Sequence, residues 1–426
     1  MLPLAASSSV LSAPGRLCGS RAAALRRAFI GAAAGRARGG GGCSGDSGDC
    51  APLPRRAAMA TTAAAAAASA TASAGEQEVQ LHVLASSEAV LREFQQRFEP
   101  AEGFRCSLHY PGDAAGAPPQ GFDASAYSSA LSTRELGRLL LATPCIASTQ
   151  EFMRRHAAVL PEGTVLVAER QTSGKGRGGN QWTSPDGCLM FTAARRLKVP
   201  GSQAPFINYL VCLAVVRGVA DAYAGPLKGA APDVAIKWPN DIYSGGLKVG
   251  GALIHTTWQG DRFSVLAGIG LNVSNRQPTT CLEELVARQA AAAGAGEGAG
   301  AGAAAAAAAV PRGAVLACVL NHLEACYDEF ESAGFGGMEK AYLASWLHSG
   351  QAVEVEQGAV AGAAPAGAAA AAAAAGGGGR VRLTIAGLSE SGFLLATDAA
   401  GGRWELTPDG NSLDMLVGLI RRKLPA

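Results

Sequence analysis

The sequence predicts an α+β fold: a mixed, largely antiparallel sheet with flanking helices, followed by a small all-β barrel. Three apolar strand-like segments follow one another, Val234–Trp238, Leu247–Thr257 and Phe263–Val273. They are joined by turn signals at Ser244-Gly245-Gly246 and Gly260-Asp261, and such short turns connect antiparallel neighbours. Long helices bracket these hairpins, which favours α+β over alternating β-α-β units.

The other elements are predicted from the spacing of apolar residues. The predicted strands are Val79–Leu84, Thr164–Glu169 and Leu189–Ala194, and the predicted helices are Ser87–Phe98, Phe206–Ala224 and Arg312–Ser332. Short strands separated by turns then predict a barrel of roughly 60 residues. These strands are Ala352–Val355, Arg380–Ile385, Gly392–Thr397 and Arg403–Leu406.

Three tracts of almost pure alanine and glycine interrupt the chain: Ala57–Gly75, Ala290–Val310 and Ala359–Gly379. Their side chains bury too little apolar surface to offset the entropy of ordering them, which leaves roughly 300 residues for folding. We therefore divide the chain into four parts, with the last two tracts as insertions at 290–310 and 359–379. The parts are a leader (1–75), an N-terminal extension (76–131), a main domain (132–348) and a C-terminal domain (349–426).

The leader has the composition of an organelle transit peptide. Six arginines lie among serine and alanine before the first acidic residue, Asp46. A disordered tail without a targeting role is the alternative.

Charge and hydrophobicity exclude two classes of partner. The chain has 36 Lys and Arg against 34 Asp and Glu, and the leader holds eight Arg and two Asp, which leaves 28 basic and 32 acidic residues. The remainder therefore has no basic surplus for binding nucleic acid. The alanine runs lack the Leu, Ile, Val and Phe that drive insertion, so no membrane association is expected.

The ten cysteines form no CxxC pair and no zinc-like spacing, which indicates reduced thiols inside a cell. His322 and Cys326 stand four residues apart on a predicted helix and could hold a metal ion. The same helix carries a regular apolar stripe, so one face packing on a core explains the spacing better.

The segment Gly174–Gly179 follows a predicted strand and satisfies G-x-G-x-x-G, a weak signal by itself. A dinucleotide-binding loop would open a helix, but Ser184-Pro185-Asp186-Gly187 favours turns. Val234-Ala235-Ile236-Lys237 resembles the lysine strand of protein kinases, yet it lies about 60 residues from the glycine loop. No HRD or DFG sequence follows, so the kinase interpretation fails as well.

Five elements, in order, resemble the signatures of biotin protein ligases. The glycine loop, with Asn180, Trp182 and Ser184-Pro185, is similar to the biotin loop of that family (GRGRxxxxW-x-SP), and Lys237–Asp241 matches its KWPND sequence. The other three are Ser148-Thr149-Gln150, Lys248–Ile254 and Gly268–Val273. The tail, Pro408–Ser412 with Arg421-Arg422-Lys423, looks like the C-terminal module of plant-type members. The resemblance covers residues 132–426 apart from the two tracts.

The resemblance implies the fold of class II aminoacyl-tRNA synthetases and biotin ligases, with an SH3-like barrel behind it. It also implies an enzyme that makes biotinyl-5′-AMP and transfers biotin to one lysine of a carrier protein. Biotin is then the substrate, ATP and Mg²⁺ are co-substrates, and no fixed metal site is expected in the protein.

The chemistry requires cations, because the biotin carboxylate must attack the α-phosphate of ATP. Arg177 is the first candidate, since a guanidinium can hold carboxylate and phosphate oxygens together. Lys248 is a second cation at the carboxylate, Lys237 lies on the nucleotide side, and Asp241 is a candidate base for the acceptor lysine. The family usually has Arg where Lys175 stands, and lysine lacks the bidentate fork.

The resemblance assigns the remaining contacts residue by residue. Expected biotin contacts are Ser148, Thr149, Gln150, Gln171, Lys175, Gly176, Arg177, Trp182, Lys248 and Gly250. Expected adenylate contacts are Arg177, Asn180, Lys237, Asn240, Asp241 and Asn272. Ser148 and Thr149 could also cap a helix, because Glu151 and a helical run follow.

Three rival functions differ in testable ways. A lipoate or octanoate ligase would share the adenylate chemistry but not the glycine-loop sequence. A biotin-responsive transcription regulator would need a DNA-binding domain before residue 130, and a biotin-binding module without catalysis would not need the charged residues. The expected partner is the biotin carboxyl carrier domain of acetyl-CoA carboxylase or a related carboxylase, in the plastid first, with the mitochondrion or cytosol as alternatives.

Overall fold

The structure is a computed structural model that describes residues 79–99, 104–109, 122–293, 309–356, 380–406, 411–414 and 419–422. The predicted transit peptide, the tract Ala359–Gly379 and most of the tract Ala290–Val310 lie outside the described residues. So does the Pro408–Gly410 part of the tail.

A nine-stranded sheet forms the centre of the molecule, in the order β2-β1-β3-β4-β5-β9-β8-β7-β6. The strands are β1 (Val79–Ala85), β2 (Phe104–His109), β3 (Leu139–Ile146), β4 (Val165–Gln171), β5 (Cys188–Leu197), β6 (Ala235–Lys237), β7 (Asp241–Ser244), β8 (Leu247–Gln259) and β9 (Arg262–Asn272). Only the β1–β2 and β3–β4 pairs are parallel among these neighbours. The predicted mixed, largely antiparallel sheet with flanking helices is confirmed.

Helices cover both faces of this sheet. They are α1 (Glu88–Arg97), α2 (Ala124–Ala130), α3 (Thr149–His156), α4 (Ile207–Ala222), α5 (Leu282–Ala293), α6 (Arg312–Ala333) and α7 (Gly336–Ser345). Alternate residues of a strand point to opposite faces. On β3, Leu139 and Leu141 belong to the core with α1 and α3, whereas Leu140 and Ala142 belong to the larger core with α4 and α6.

Helix α4 is apolar on nearly all sides because it is buried between the sheet and α6. A Cβ at Gly218 would overlap the backbone of Val319 on α6, so glycine permits the close crossing of the two helices. The stretch Gly201–Ala222, a 3₁₀ turn plus α4, is long and apolar enough to cross a membrane, but most of it is buried in the protein. We interpret it as a core helix.

The C-terminal part forms a second sheet of six strands, in the order β13-β12-β11-β10-β15-β14. Its strands are β10 (Ala352–Glu356), β11 (Arg380–Leu388), β12 (Leu394–Thr397), β13 (Arg403–Leu406), β14 (Asn411–Asp414) and β15 (Leu419–Arg422). The four strands predicted here are all present, and β14 and β15 were not predicted.

Two features of the main sheet go beyond the sequence-based elements. The predicted strand Val234–Trp238 is present as the shorter β6, and the unpredicted β7 lies between it and β8, because Pro239 ends β6 before the chain turns back. Strand β1 pairs directly with β3, so the N-terminal extension is continuous with the main sheet. On α6, His322 Nε2 lies 2.6 Å from Asp221 Oδ2 while Cys326 is buried in the core, which agrees with the packing of a helix face that the sequence favoured over a metal site.

Candidate active site

A cleft of about 220 Å³ lies between α3, the glycine loop and the ends of β6 to β9. Thirteen of the predicted site residues line it: Ser148, Thr149, Gln150, Gln171, Lys175, Gly176, Arg177, Asn180, Trp182, Lys237, Asn240, Asp241 and Lys248. Because these residues come from five separate stretches of the sequence, the fold brings them together.

One end of the cleft is a chain of neutral hydrogen-bonding groups. Thr192 Oγ1 donates to Thr149 Oγ1 at 3.0 Å, and Thr149 Oγ1 donates to Gln171 Oε1 at 3.1 Å. The backbone N–H of Thr149 also donates to Gln171 Oε1, at 2.8 Å. Gln171 Oε1 therefore accepts two hydrogen bonds, and the amide NH₂ is the donor that this side chain offers to a ligand.

Ser148 is the N-cap residue of α3, as the sequence suggested, and it also lines the cleft. Its side chain accepts a hydrogen bond from Glu151 N at 3.4 Å and so caps α3. The cap places the first turn of α3, with Thr149 and Gln150, at the cleft wall.

Two glycines on the cleft side of β9 make room for neighbouring side chains. A Cβ at Gly268 would overlap Gln150 Oε1, and a Cβ at Gly270 would lie 2.6 Å from the Trp182 ring. Any larger residue would displace Gln150 or Trp182. The period-two glycine pattern was a sequence signal for this face that the prediction did not use.

The glycine loop, defined here as Gly174–Trp182, folds as a small hairpin. Gly176 N donates to Asn180 O at 2.7 Å and Trp182 N donates to Gly174 O at 2.9 Å. Gly178 and Gly179 have φ values of 66° and 82°, which L side chains rarely adopt. The loop opens no long helix, as predicted, and it brings Lys175 and Arg177 to the cleft.

The opposite end of the cleft is charged. Lys248 Nζ lies 2.7 Å from Asp241 Oδ1 and 5.7 Å from the centroid of the Trp182 ring. Lys237 Nζ lies 5.0 Å from the centroid of the Tyr243 ring. A Cβ at Gly251 would lie 2.9 Å from Asp241 Oδ1, so glycine leaves space for the Asp241–Lys248 ion pair.

The turn Trp238–Asp241 between β6 and β7 is hydrogen-bonded on several sides. Asn240 Nδ2 donates to Ala252 O at 2.7 Å, and Asn208 Nδ2 donates to Pro239 O at 2.5 Å. The indole N–H of Trp238 donates to Tyr209 Oη at 2.9 Å, and its backbone N–H donates to His348 Nε2 at 2.9 Å. The amide of Asn240 therefore holds the turn as well as lining the cleft.

Burial shifts two pKa values next to this turn. It lowers the pKa of the His348 imidazole from 6.5 to about 4, with a smaller contribution from the positive charge of Lys237. It raises the pKa of the Tyr209 hydroxyl to about 12. Both side chains are therefore neutral at physiological pH.

Two predicted site residues do not line the cleft. Gly250 faces the neighbouring strand, where a Cβ would lie 2.5 Å from Leu271 Cδ2. Asn272 is buried, and its Nδ2 donates to Thr279 Oγ1 and to Thr280 O, each at 3.1 Å. Thr192, Tyr209 and His348 act behind the lining residues, and the sequence prediction did not single them out.

Comparison with known proteins places these observations in a family. The family model described as "Biotin/lipoate A/B protein ligase family" matches residues 142–272, which run from β3 to β9. The chain is 36% identical over 304 residues to Biotin--protein ligase 2 of Arabidopsis thaliana, which covers 71% of this chain and 83% of that protein. It is 36% identical over 305 residues to Biotin--protein ligase 1, chloroplastic, of the same plant, covering 71% and 74%.

Among solved structures, the chain is similar to the biotin protein ligase from Aquifex aeolicus in complex with biotin and ATP. That match has a TM-score of 0.43 and 23% identity, and it covers 68% of this chain and 100% of the other.

The family model places residues 142–272 in the biotin and lipoate ligase class. Within that class, the chain belongs to the biotin protein ligases. The predictions of a ligase enzyme and of ATP-dependent attachment of biotin to protein are confirmed.

Proposed function

We propose that this cleft carries out both half-reactions, with biotin at its neutral end and the nucleotide at its charged end. The observation that supports this most strongly is the convergence of thirteen predicted residues on one cleft with opposite polar and charged ends. Biotin has a neutral ureido head and an anionic tail, so such a cleft orients it head first toward Thr149 and Gln171. Trp182 then supplies apolar surface to its body.

In the first half-reaction, biotin's carboxylate attacks the α-phosphate of ATP and pyrophosphate leaves. Arg177 and Lys248 neutralise the two approaching anions, and Lys237 contacts the nucleotide. Among the described residues that line the cleft, Asp241 is the one carboxylate, and it is paired with Lys248. This donor set fits Mg²⁺ brought by the phosphates of ATP better than a metal site built into the protein.

In the second half-reaction, the acceptor lysine must lose a proton before it attacks the mixed anhydride, because its unperturbed pKa is about 10.4. Asp241 is the proposed base. Its ion pair with Lys248 gives it a second possible role, which is to orient Lys248 for the first step.

The substitution Asp241→Asn separates the two roles. A base is needed only for transfer, so we expect transfer from preformed biotinyl-AMP to slow by about 10²-fold or more, with a smaller effect on pyrophosphate release. The two rates are measured in single-turnover assays of the same variant. Equal slowing of both steps would leave Asp241 only its role of orienting Lys248.

The substrate is tested with the full chain, ATP, Mg²⁺, an apo biotin carrier domain, and either biotin or lipoate. Release of pyrophosphate with biotin and a biotin-sized mass gain on the carrier would support the proposal. Labelling of the carrier by lipoate would favour the lipoate ligase alternative. No pyrophosphate release and no labelling with either ligand would favour a binding module.

The proposed carrier is the biotin carboxyl carrier domain of acetyl-CoA carboxylase or a related carboxylase. A relative named as chloroplastic and the arginine-rich leader support a plastid location, with residues 1–75 as the transit peptide. Fusion of these residues to a fluorescent reporter tests this proposal, because the reporter should accumulate in the plastid rather than in the mitochondrion or the cytosol.

The proposed domain organisation keeps the N-terminal extension at 76–131, the catalytic domain at 132–348 and the C-terminal domain at 349–426. The six-stranded second sheet supports an SH3-like C-terminal barrel, and the SH3-like assignment itself remains a proposal.

A further inference from the structure

His348 occupies an unusual place between the two sheets. It is fully buried, and it lies between the end of α7 at Ser345 and the start of β10 at Ala352. Its Nε2 accepts the backbone N–H of Trp238 at 2.9 Å, and its Nδ1 lies 2.9 Å from Gln351 Oε1. A histidine 110 residues away in the sequence thus holds the first residue of the turn that carries Asn240 and Asp241.

These two hydrogen bonds define the state of the ring. Nε2 can accept from Trp238 only without a proton, so Nδ1 carries the hydrogen and donates it to Gln351 Oε1. Gln351 directly precedes β10, so the ring connects the C-terminal sheet to the turn.

A second connection reaches the same turn. Tyr209 on α4 accepts the Trp238 indole N–H and donates its own hydroxyl hydrogen to Gly392 O of the C-terminal part. Gly392 has a φ of 78°, and a Cβ there would lie 3.1 Å from Pro205 Cβ. Two side chains therefore link the C-terminal part to Trp238. His348 bonds to its backbone N–H, and Tyr209 bonds to its indole N–H.

The contacts fall on the charged end of the cleft. Leu347 N also donates to Ile236 O at 3.0 Å, so the segment that leads into the C-terminal sheet runs beside β6. The neutral end, by contrast, is held by α3, β4 and β5 through Thr149, Gln171 and Thr192. A substitution at His348 should therefore lower the affinity for the nucleotide more than the affinity for biotin.

We propose that His348 is a positioning residue for adenylate formation: it fixes the Trp238–Asp241 turn and so makes nucleotide affinity depend on the docked C-terminal sheet. This inference rests on the proposed function, because it assumes that the nucleotide binds at the charged end.

The test uses two substitutions in the full chain. His348→Phe keeps an aromatic ring and removes the acceptor, whereas His348→Gln keeps an acceptor oxygen at nearly the reach of Nε2. We expect His348→Phe to raise the KM for ATP in biotin-dependent ATP–pyrophosphate exchange by about tenfold or more. The Kd for biotin measured without ATP should change less than about twofold, and His348→Gln should recover most of the ATP affinity. His255→Phe, on the exposed side of β8, is the matched control.

The outcomes separate the two proposals. Absence of biotin-dependent exchange in the unsubstituted chain would overturn the proposed function. With that exchange present, equal changes in the ATP KM and the biotin Kd, or no gain of His348→Gln over His348→Phe, would overturn the positioning role. Thermal unfolding midpoints of both variants are measured to confirm that each is folded at the assay temperature.

Discussion

The glycine loop and the Trp238–Asp241 turn both line the cleft, yet they are built in different ways. The loop's hairpin hydrogen bonds join residues within Gly174–Trp182. The turn is held by groups from α4, β8 and the segment before β10, the last of them 110 residues away. The loop therefore depends on its own sequence, and the turn depends on the assembled fold.

Because of this difference, substitutions in the loop and at the turn should affect different properties of the protein. In the loop, a side chain can be changed without altering the backbone hydrogen bonds, so substitutions should act mainly on catalysis. At the turn, the same kind of change removes a buried partner, so substitutions should act on stability and nucleotide affinity together.

The largest effect is expected from Arg177→Ala. Removing a cation from two reacting anions should slow adenylate formation by about 10²–10³-fold, measured as biotin-dependent ATP–pyrophosphate exchange. The unfolding midpoint should change far less than the rate, because the loop's backbone hydrogen bonds remain. Arg170→Ala, at an exposed position on β4, is the control. A loss of less than tenfold would exclude Arg177 as the main cation.

The second effect concerns pH and the turn. Folded His348 has a pKa of about 4, whereas the unfolded side chain titrates near 6.5. The unfolded state therefore binds a proton first, and stability falls as pH drops from about 6.5 to 4, by about 3 kcal/mol. Urea unfolding across this range should show a flatter curve for His348→Gln than for the unsubstituted chain. Parallel curves would contradict the burial of a neutral His348.

A smaller loss is expected from Tyr209→Phe. It leaves the Trp238 indole N–H and Gly392 O without their partner, which should lower the free energy of unfolding by about 2 kcal/mol. The KM for ATP should rise as well. Tyr342→Phe is a matched control, since the buried Tyr342 hydroxyl has no hydrogen-bond partner within the described parts of the chain. Equal losses in the two variants would refute the connection through Tyr209.

The smallest effect is expected from Lys175→Arg in the loop. Lys175 pairs with Gln181 through the backbone, so the hairpin should persist. The guanidinium restores a bidentate donor, and we expect the KM for biotin to fall less than about fivefold. Lys340→Arg on α7 provides the control. A change beyond tenfold would mean that Lys175 determines biotin affinity.

Much of the fold was predictable because its elements carry local signals. The β8–β9 hairpin, α4 and α6 follow from apolar periodicity and from glycine-containing turns. Strand β3 escaped prediction although it is almost wholly apolar, since a continuous buried run lacks the alternation of a half-exposed strand. Strand β7 was missed because it has only four residues.

The site residues also fall into those that a local sequence pattern identifies and those whose position depends on tertiary packing. The residues of the glycine loop and of Lys237–Asp241 stand close together in sequence, so their pattern identified them. Asn272 was predicted to contact the adenylate from its place in a matching strand, whereas in the structure its side chain is buried and hydrogen-bonded to Thr279 and Thr280. Which way a side chain at a strand end points depends on the neighbouring loop.

The sequence by itself determined the class of sheet, the absence of a long helix after the glycine loop and the charged residues the chemistry needs, because each depends on neighbours a few positions apart. The tertiary structure alone decided that Lys248 pairs with Asp241, that Thr192 stands behind Thr149, and that His348 holds Trp238. These contacts join distant segments, and only the packing of α4, the main sheet and the C-terminal sheet brings their atoms within hydrogen-bonding distance.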